Sequence, residues 1–358
     1  LIHAHAQTAQ LADTLAALTR RPWTLMEVCG GQTHAILRWG LDQLLPPVVR
    51  LIHGPGCPVC VTPAACIDLA LKLARRPDVV LCSYGDMLRV PGSDPGQDLL
   101  AVRAAGGDVQ LLTSPLQAIA LARRHPDRRV VFLAVGFETT APATALLARQ
   151  AKALALPNLS LLVAHVRVVP AMEAILADPA SEVQAFLAAG HVAAVMGTRQ
   201  LEQLVERHRV PVVVSGFDPA ELMAGVLEAV RQLEAGEARL SNAYARVVTP
   251  EGNRAAQALI DAVFEPADRP WRGLGVLPQG GLALRPAYRH LDAAALEPAV
   301  AAGDDSDPRL CISGRILRGL ALPPECPAFG GACTPQRPLG APMVSSEGAC
   351  AAYHRYRR

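Results

Sequence analysis

Short apolar runs rich in β-branched residues, separated by stretches whose apolar positions recur every three or four residues, set the rhythm of this chain. Thr24 to Val28, Val48 to Ile52, Val79 to Ser83 and Val109 to Thr113 read as buried strands, with helical stretches such as Ala64 to Arg75 between them. A βαβα order needs crossover connections and therefore predicts a parallel sheet. The rhythm then restarts, with strands expected at Val130 to Val135, Leu159 to Ala164, Val192 to Met196 and Val212 to Ser215 and helices near Ala141 to Leu154 and Ala220 to Leu233. Ahead of the first strand, Ala6, Ala9, Leu11, Leu15 and Leu18 give Leu1 to Arg20 the spacing of an amphipathic helix that Pro22 ends. From about Tyr244 the pattern fades into Gly- and Pro-rich sequence, including Trp271-Arg272-Gly273-Leu274-Gly275 and an acidic Asp304-Asp305-Ser306-Asp307-Pro308 turn.

The expected fold is α/β. Two tandem parallel-sheet α/β domains occupy 23–126 and 127–240, a helix at 1–22 packs on the third domain, and 241–358 forms a loop-rich α domain. Neither α/β half carries a Gly-x-Gly-x-x-Gly fingerprint after its first strand, and no Gly-Lys-Ser/Thr follows a glycine-rich loop, so the common nucleotide-binding readings lack a motif.

Composition narrows the function classes. With 51% hydrophobic and 18% charged residues among 358, the chain can bury a large core, and its net charge of +2 with no basic stripe argues against nucleic acid. No apolar run approaches a membrane span and the start lacks the order of a signal peptide, so a cytoplasmic protein is expected.

The nine cysteines carry the chemistry. Cys29, Cys57, Cys60, Cys66 and Cys82 fall in the first quarter, and Cys311, Cys326, Cys333 and Cys350 near the end, which points to two separate sulfur chemistries. Gly54-Pro55-Gly56-Cys57-Pro58-Val59-Cys60 follows an apolar strand, in a loop whose glycines and prolines resist helix and strand alike. Its Cys-x-x-Cys pair suits a redox couple or half of a metal site, and spacing does not separate the two. Cys29 with His34, His53, the Cys57/Cys60 loop and Asp86 each follow a predicted strand of the first domain, so they are expected to converge on one cleft. Glu138, in Gly136-Phe137-Glu138-Thr139-Thr140, leaves the first strand of the second domain and is a candidate for holding a proton or a ligand there. Cys66 and Cys82 read as structural, and His165, His191 and Thr198 as hydrogen-bonded structure. The late thiols, spaced x14, x6 and x16, can wrap a [4Fe-4S] cluster or a structural zinc.

Met26-Glu27-Val28-Cys29-Gly30-Gly31, His53 to Cys60, Gly136 to Thr140, the late cysteine spacing and Met343-Val344-Ser345-Ser346-Glu347-Gly348-Ala349-Cys350 together closely resemble the HypD family of [NiFe]-hydrogenase maturation proteins, over nearly the whole chain. The resemblance implies a scaffold that, with a HypC-type chaperone, assembles the Fe(CN)2CO group, takes cyanide from a HypE-type donor and serves the hydrogenase large subunit through HypC. It implies that Cys29 transiently holds the iron, that Cys57 and Cys60 form a thiol/disulfide pair, and that Cys311, Cys326, Cys333 and Cys350 bind a [4Fe-4S] cluster in the third domain. His34, Asp86 and Glu138 would lie within reach of Cys29. Where family members commonly read Cys-Gly-Gly-His-Thr-His, this chain has Gln32, which can hydrogen-bond but neither titrate nor bind metal as histidine does. The competing readings are a cluster-dependent thiol-disulfide oxidoreductase and a structural zinc protein.

Overall fold

The computed structural model describes residues 2–94, 96–297 and 311–357, so the acidic turn at Asp304 to Pro308 lies outside the described residues. Eleven strands are found among the described residues: β1 (Trp23–Glu27), β2 (Val49–His53), β3 (Val79–Ser83), β4 (Val109–Leu111), β5 (Arg129–Gly136), β6 (Leu159–His165), β7 (Ala185–Ala189), β8 (Val212–Ser215), β9 (Leu240–Asn242), β10 (Phe264–Trp271) and β11 (Gly275–Leu284). The first nine build two parallel sheets, ordered β2-β1-β7-β8-β9 and β4-β3-β5-β6. The α/β class and the parallel sheets are those the pattern predicts.

The grouping of strands is not. β1 and β2 do not share a sheet with β3 and β4. Leu25 of β1 pairs with Leu51 of β2 on one side and with Ala185 of β7 on the other, so β1 and β2 join the late strands β7 to β9. β3 to β6, contiguous in sequence, form the second sheet as an insertion between them. An apolar run buried on both faces is equally suited to either sheet, so the local pattern contains no information about its neighbours.

The strand expected at Val192 to Met196 is a helix, Gly190–Met196, and the strand is the preceding Ala185–Ala189. Ala185 to Met196 is almost unbroken apolar sequence, in which periodicity cannot separate strand from helix. Burial decides it: all five residues of β7 are covered, whereas His191 is exposed.

The first helix, Ile2–Leu18, packs on the helix Pro219–Ala235 of the five-stranded sheet, not on the third region. Its Ala12 and Leu15 share an apolar cluster with Trp23, Leu25, Val226, Leu227 and Val230. Ala6 and Ala9, expected on that face, are exposed.

The third region is more ordered than its composition suggests. β10 and β11 form an antiparallel hairpin whose turn places Gly273 and Gly275 at φ 80° and 76°, where glycine is unstrained. Pro266, Pro270 and Pro278 mask the strands in the sequence, and a two-stranded hairpin tolerates them because both strands are edges. Trp271, fully buried, donates its indole N–H to the Gly280 carbonyl at 2.9 Å and packs on Phe137 with ring centroids 5.9 Å apart. Beyond the hairpin, short 3-10 turns and the helices Ser313–Leu317 and Ala349–Tyr356 surround the four late cysteines. Among the described residues no helix is long and apolar enough to cross a membrane.

Leu15 has no exposed surface, so Leu15→Ala should lower unfolding stability by about 2–5 kcal/mol. Leu18→Ala, at a half-exposed position, should cost less than about 1 kcal/mol. Urea denaturation of both variants tests the packing of this helix.

Candidate functional site

β1 ends at Glu27, and Cys29 stands two residues on as the extended N-cap of the helix Gly30–Trp39, its carbonyl accepting from the Gln32 and Thr33 N–H groups at 2.8 and 3.0 Å. The loop after β2 is pressed against this cap. A Cβ on Gly56 would fall 2.2 Å from the Cys29 nitrogen, and the Gly56 carbonyl accepts the Gly30 N–H at 2.8 Å. Gly30 is equally constrained, since a Cβ there would lie 2.5 Å from Cβ of Glu347. Three segments distant in sequence therefore meet at Cys29, and only glycine backbones allow the approach.

Cys57 opens the short helix Pro58–Val61, with proline at its first position, and Cys60 closes that turn. The two are joined as a disulfide, with Cα atoms 5.2 Å apart. Both sulfurs are buried in the apolar cluster that holds Met26, Val28, Ile52, Phe137 and Trp271.

Beneath Cys29 lies a buried polar chain. One Glu27 carboxylate oxygen accepts the Cys29 N–H at 2.9 Å, and the other accepts the Thr33 hydroxyl and the His53 Nδ1–H, the latter at 2.8 Å. His53 Nε2 is 3.3 Å from the hydroxyl of Tyr353, on the C-terminal helix Ala349–Tyr356. Glu27 and His53 are almost wholly enclosed.

Cys29 itself is half-buried. Burial, then the Glu27 and Glu347 carboxylates, push its thiol up to about 12 against the lowering effect of the Gln32 N–H. The protein packed around Glu347, and then the charge of Asp86, hold the Glu347 carboxyl above its usual range. Glu347 and Asp86 line a cavity of about 670 Å³ together with Pro58, Val59, Thr139 and Thr140. Asp86 thus meets Pro58 and Val59 of the Cys57–Cys60 turn across a space between two sheets, not along one sheet edge, because β3 belongs to the second sheet; Cys29 is not among the residues that line that cavity.

Three other expected residues stand apart from this cleft. His34 is tied to the C-terminal segment, its Nδ1 3.2 Å from the Ser346 carbonyl and its Nε2 3.2 Å from the Tyr356 hydroxyl. Gln32 is fully buried, and its amide donates to the carbonyls of Ala188, Ser215 and Gly216 at the ends of β7 and β8. Position 32 therefore anchors the helix to the sheet. Glu138 turns away from the 670 Å³ cavity that Thr139 and Thr140 line, and faces a separate small cavity instead. Burial pushes its carboxyl up to about 7.

Cys311, Cys326, Cys333 and Cys350 line one narrow cavity with Ile316, Phe329 and Met343. Burial and then the other three sulfurs hold the Cys350 thiol well above its ordinary range, and burial likewise raises Cys311 against the Ser313 hydroxyl and N–H. The Leu339 N–H points at Cys333 Sγ, 3.3 Å away. The set contains four soft donors and no cation, chemistry that fits an iron-sulfur cluster. Among the described residues no three His, Cys, Asp or Glu side chains gather closely enough to hold a single metal ion. Cys82 is buried in β3, with Sγ 3.4 Å from the Val131 carbonyl, and Cys66 lies half-buried in the helix Ala64–Ala74. His165 is buried between the Gly136 carbonyl and the Thr144 hydroxyl, Thr198 donates its hydroxyl to Glu202, and exposed His191 stacks on Phe217 at 3.9 Å.

The sequence model of the HypD family, described as the hydrogenase formation hypA family, matches residues 5–357. The chain belongs to the HypD family. It is 45% identical to the hydrogenase maturation factor HypD of Rhodobacter capsulatus, over 98% of this chain and 94% of that one. Against the proteins of the same name from Azotobacter vinelandii and Escherichia coli strain K12 identity is 46% and 44%, covering 99% and 97% of this chain and 95% and 92% of theirs. It is thus a hydrogenase maturation factor of the HypD type.

For a HypD-family chain, two residues that carry the site escape reading from motifs of cysteine and histidine alone. Glu27 is the lone acid closing the apolar run Leu25-Met26, and an acid in that place signals a buried partner. Tyr353, 300 residues from the His53 it meets, gives no local signal.

A thiol held near 12 instead of the ordinary 9.0 should react with iodoacetamide at pH 8 roughly a thousandfold more slowly than a free cysteine, in proportion to its thiolate. Glu347→Gln should speed that reaction severalfold, and timed alkylation read by peptide mass spectrometry measures both.

Glu138 generates a pH dependence whose sign follows from its raised value. Below about 4.5 the carboxyl is protonated in both states, and between 4.5 and about 7 only the unfolded chain ionises. The folded state then binds more protons, so stability falls as pH rises through this window by roughly 3 kcal/mol and levels off above it. Glu138→Gln should lack that component, a difference visible in urea melts of both proteins between pH 4.5 and 7.5.

Proposed function

We propose that this chain is the scaffold on which, with a HypC-type chaperone, the Fe(CN)2CO group of [NiFe]-hydrogenase is assembled, Cys29 holding the iron. One observation carries this reading: Cys29 is a half-exposed thiol whose backbone is fixed by Glu27 and by the Gly56 carbonyl's bond to Gly30, close to the buried Cys57–Cys60 pair, and the Gly30 that follows it packs on Glu347, a wall of the open cavity. A position held this firmly can accept a metal without rebuilding the loop. The thiol stays protonated until iron displaces its proton, so loading is coupled to proton release. Thiolate is a strong ligand for low-spin iron, and one thiolate leaves the other positions to cyanide, carbonyl and a partner's donor, which favours handover. Cyanide from a HypE-type donor and passage to the hydrogenase large subunit through HypC complete the reading.

Cys57 and Cys60 serve in it as a thiol/disulfide couple: opening the bond takes two electrons and two protons and yields two thiols. Cys311, Cys326, Cys333 and Cys350 would hold a [4Fe-4S] cluster, which when bound supplies a store of single electrons. The alternative, a thiol-disulfide oxidoreductase acting on protein substrates, needs an accessible sulfur, and Cys57 and Cys60 are 3% and 0% exposed.

The test is infrared spectroscopy of the chain co-expressed anaerobically with a HypC-type partner. Bound cyanide and carbonyl stretches should appear, and Cys29→Ala should lose them while keeping the visible absorption of the cluster. Persistence of those bands in a folded Cys29→Ala complex would show that the iron sits elsewhere. Colourless protein containing zinc and no sulfide would overturn the cluster assignment.

A further inference from the structure

A second open cavity, of about 410 Å³, lies against the C-terminal helix Ala349–Tyr356. It shares Ser346 with the cleft and Met343 with the four-cysteine cavity, so it adjoins both. Its charge is opposite to that of the cleft. Asp86 and Glu347 line the cleft, whereas this cavity is lined by Arg89 and Arg355 and by no carboxylate.

Arg89 is half-buried at the end of the 3-10 turn Gly85–Arg89, and its Nη2 donates to the Pro335 carbonyl at 2.8 Å. That bond holds the guanidinium while leaving its remaining N–H groups to other acceptors. Arg355, exposed in the last turn of the C-terminal helix, lies over the Tyr356 ring, 5.4 Å from its centroid. Neither meets a carboxylate among the described residues. Elsewhere in the fold the half-buried Arg128 and Arg318 do, pairing with Asp108 and Asp178. A half-buried cation without a counter-charge costs free energy that a bound anion recovers. Guanidinium forks suit carboxylate and phosphate oxygens alike. The rest of the wall decides between them: Pro335, Met343, Val344 and Ala352 are apolar. A carboxylate carried beside an apolar side chain can cover that surface, and a bare hydrated phosphate cannot.

We propose that this cavity docks an acidic segment of a partner protein, its carboxylates held by Arg89 and Arg355 and a neighbouring apolar side chain packed on Met343 and Val344. Asp86 and Glu347, beyond the shared Ser346, repel the same carboxylates and keep them out of the cleft. A partner seated here covers a wall of the four-cysteine cavity. The site stands on charge and lining alone and takes nothing from the iron reading.

A fluorescein-labelled peptide of alternating glutamate and leucine is titrated with the full-length protein, purified anaerobically without a HypC-type partner, and binding is read by fluorescence anisotropy. Saturable binding is expected, weakening severalfold as salt rises from about 0.05 to about 0.3 M. Arg89→Gln and Arg355→Gln should each weaken it roughly tenfold. Arg207→Gln, which breaks only the surface pair with Glu173, should leave it unchanged. Arg355 is exposed, so its variant keeps the fold even where loss of the Pro335 contact unsettles Arg89→Gln. Absence of saturable binding, equal binding of the peptide with glutamine in place of glutamate, displacement by inorganic phosphate as effective as by unlabelled peptide, or undiminished binding to Arg355→Gln would each overturn the proposal. HypC takes no part in the assay, so such a result leaves the iron reading untouched.

Discussion

The buried carboxylate of Glu27 is the constraint on which the rest of the site depends. Burying an ionised group costs several kcal/mol unless its lone pairs are satisfied. Here they are satisfied by Cys29 N–H, Thr33 and His53, which come from the strand end, the following helix and the neighbouring strand. None of these partners can move without orphaning the charge. The thiol of Cys29 is thereby held at a set place by its backbone. Through Tyr353 the same chain of contacts reaches the helix that carries Cys350, so the thiol-rich third region is docked on the first strand of the molecule and does not hang beside it.

Glycine makes that docking possible. Gly30 and Gly56 stand where any side chain would collide with Glu347 or with the backbone of Cys29. These glycines remove bulk so that three chain segments share one small volume, and the residues they admit, Cys29, Glu347 and the Cys57–Cys60 turn, are those with chemistry to offer. The fold contributes the rest by interleaving. Because β3 to β6 are inserted between β2 and β7, the ends of β3 and β5 present Asp86 and Thr139 across from the Cys57–Cys60 turn, and a cavity opens between sheets.

The same arrangement separates two environments at the end of β5. Thr139 and Thr140 face the open cleft, whereas Glu138 turns into a separate small cavity. The turn that leaves β5 sends adjacent residues to different sides, so a single motif lines two cavities.

By itself the sequence determined the α/β class, most strand and helix positions, and the cysteine groups, because these depend on local periodicity and on residue chemistry. The run Val79 to Ser83 is apolar and β-branched whatever it pairs with, and the loop Gly54 to Cys60 resists regular structure in any context. The tertiary structure alone decided which strands are neighbours, that Ala185–Ala189 and not Val192–Met196 is the strand, and that the first helix covers the helix Pro219–Ala235. It also decided the roles of polar residues within the motifs: Gln32 braces a helix against strand ends, His34 binds the C-terminal segment, and Glu138 faces its own cavity. The physical reason is one of range. Pattern reports whether a residue prefers burial, but what a buried polar group meets is set by chain hundreds of residues away, as His53 meets Tyr353.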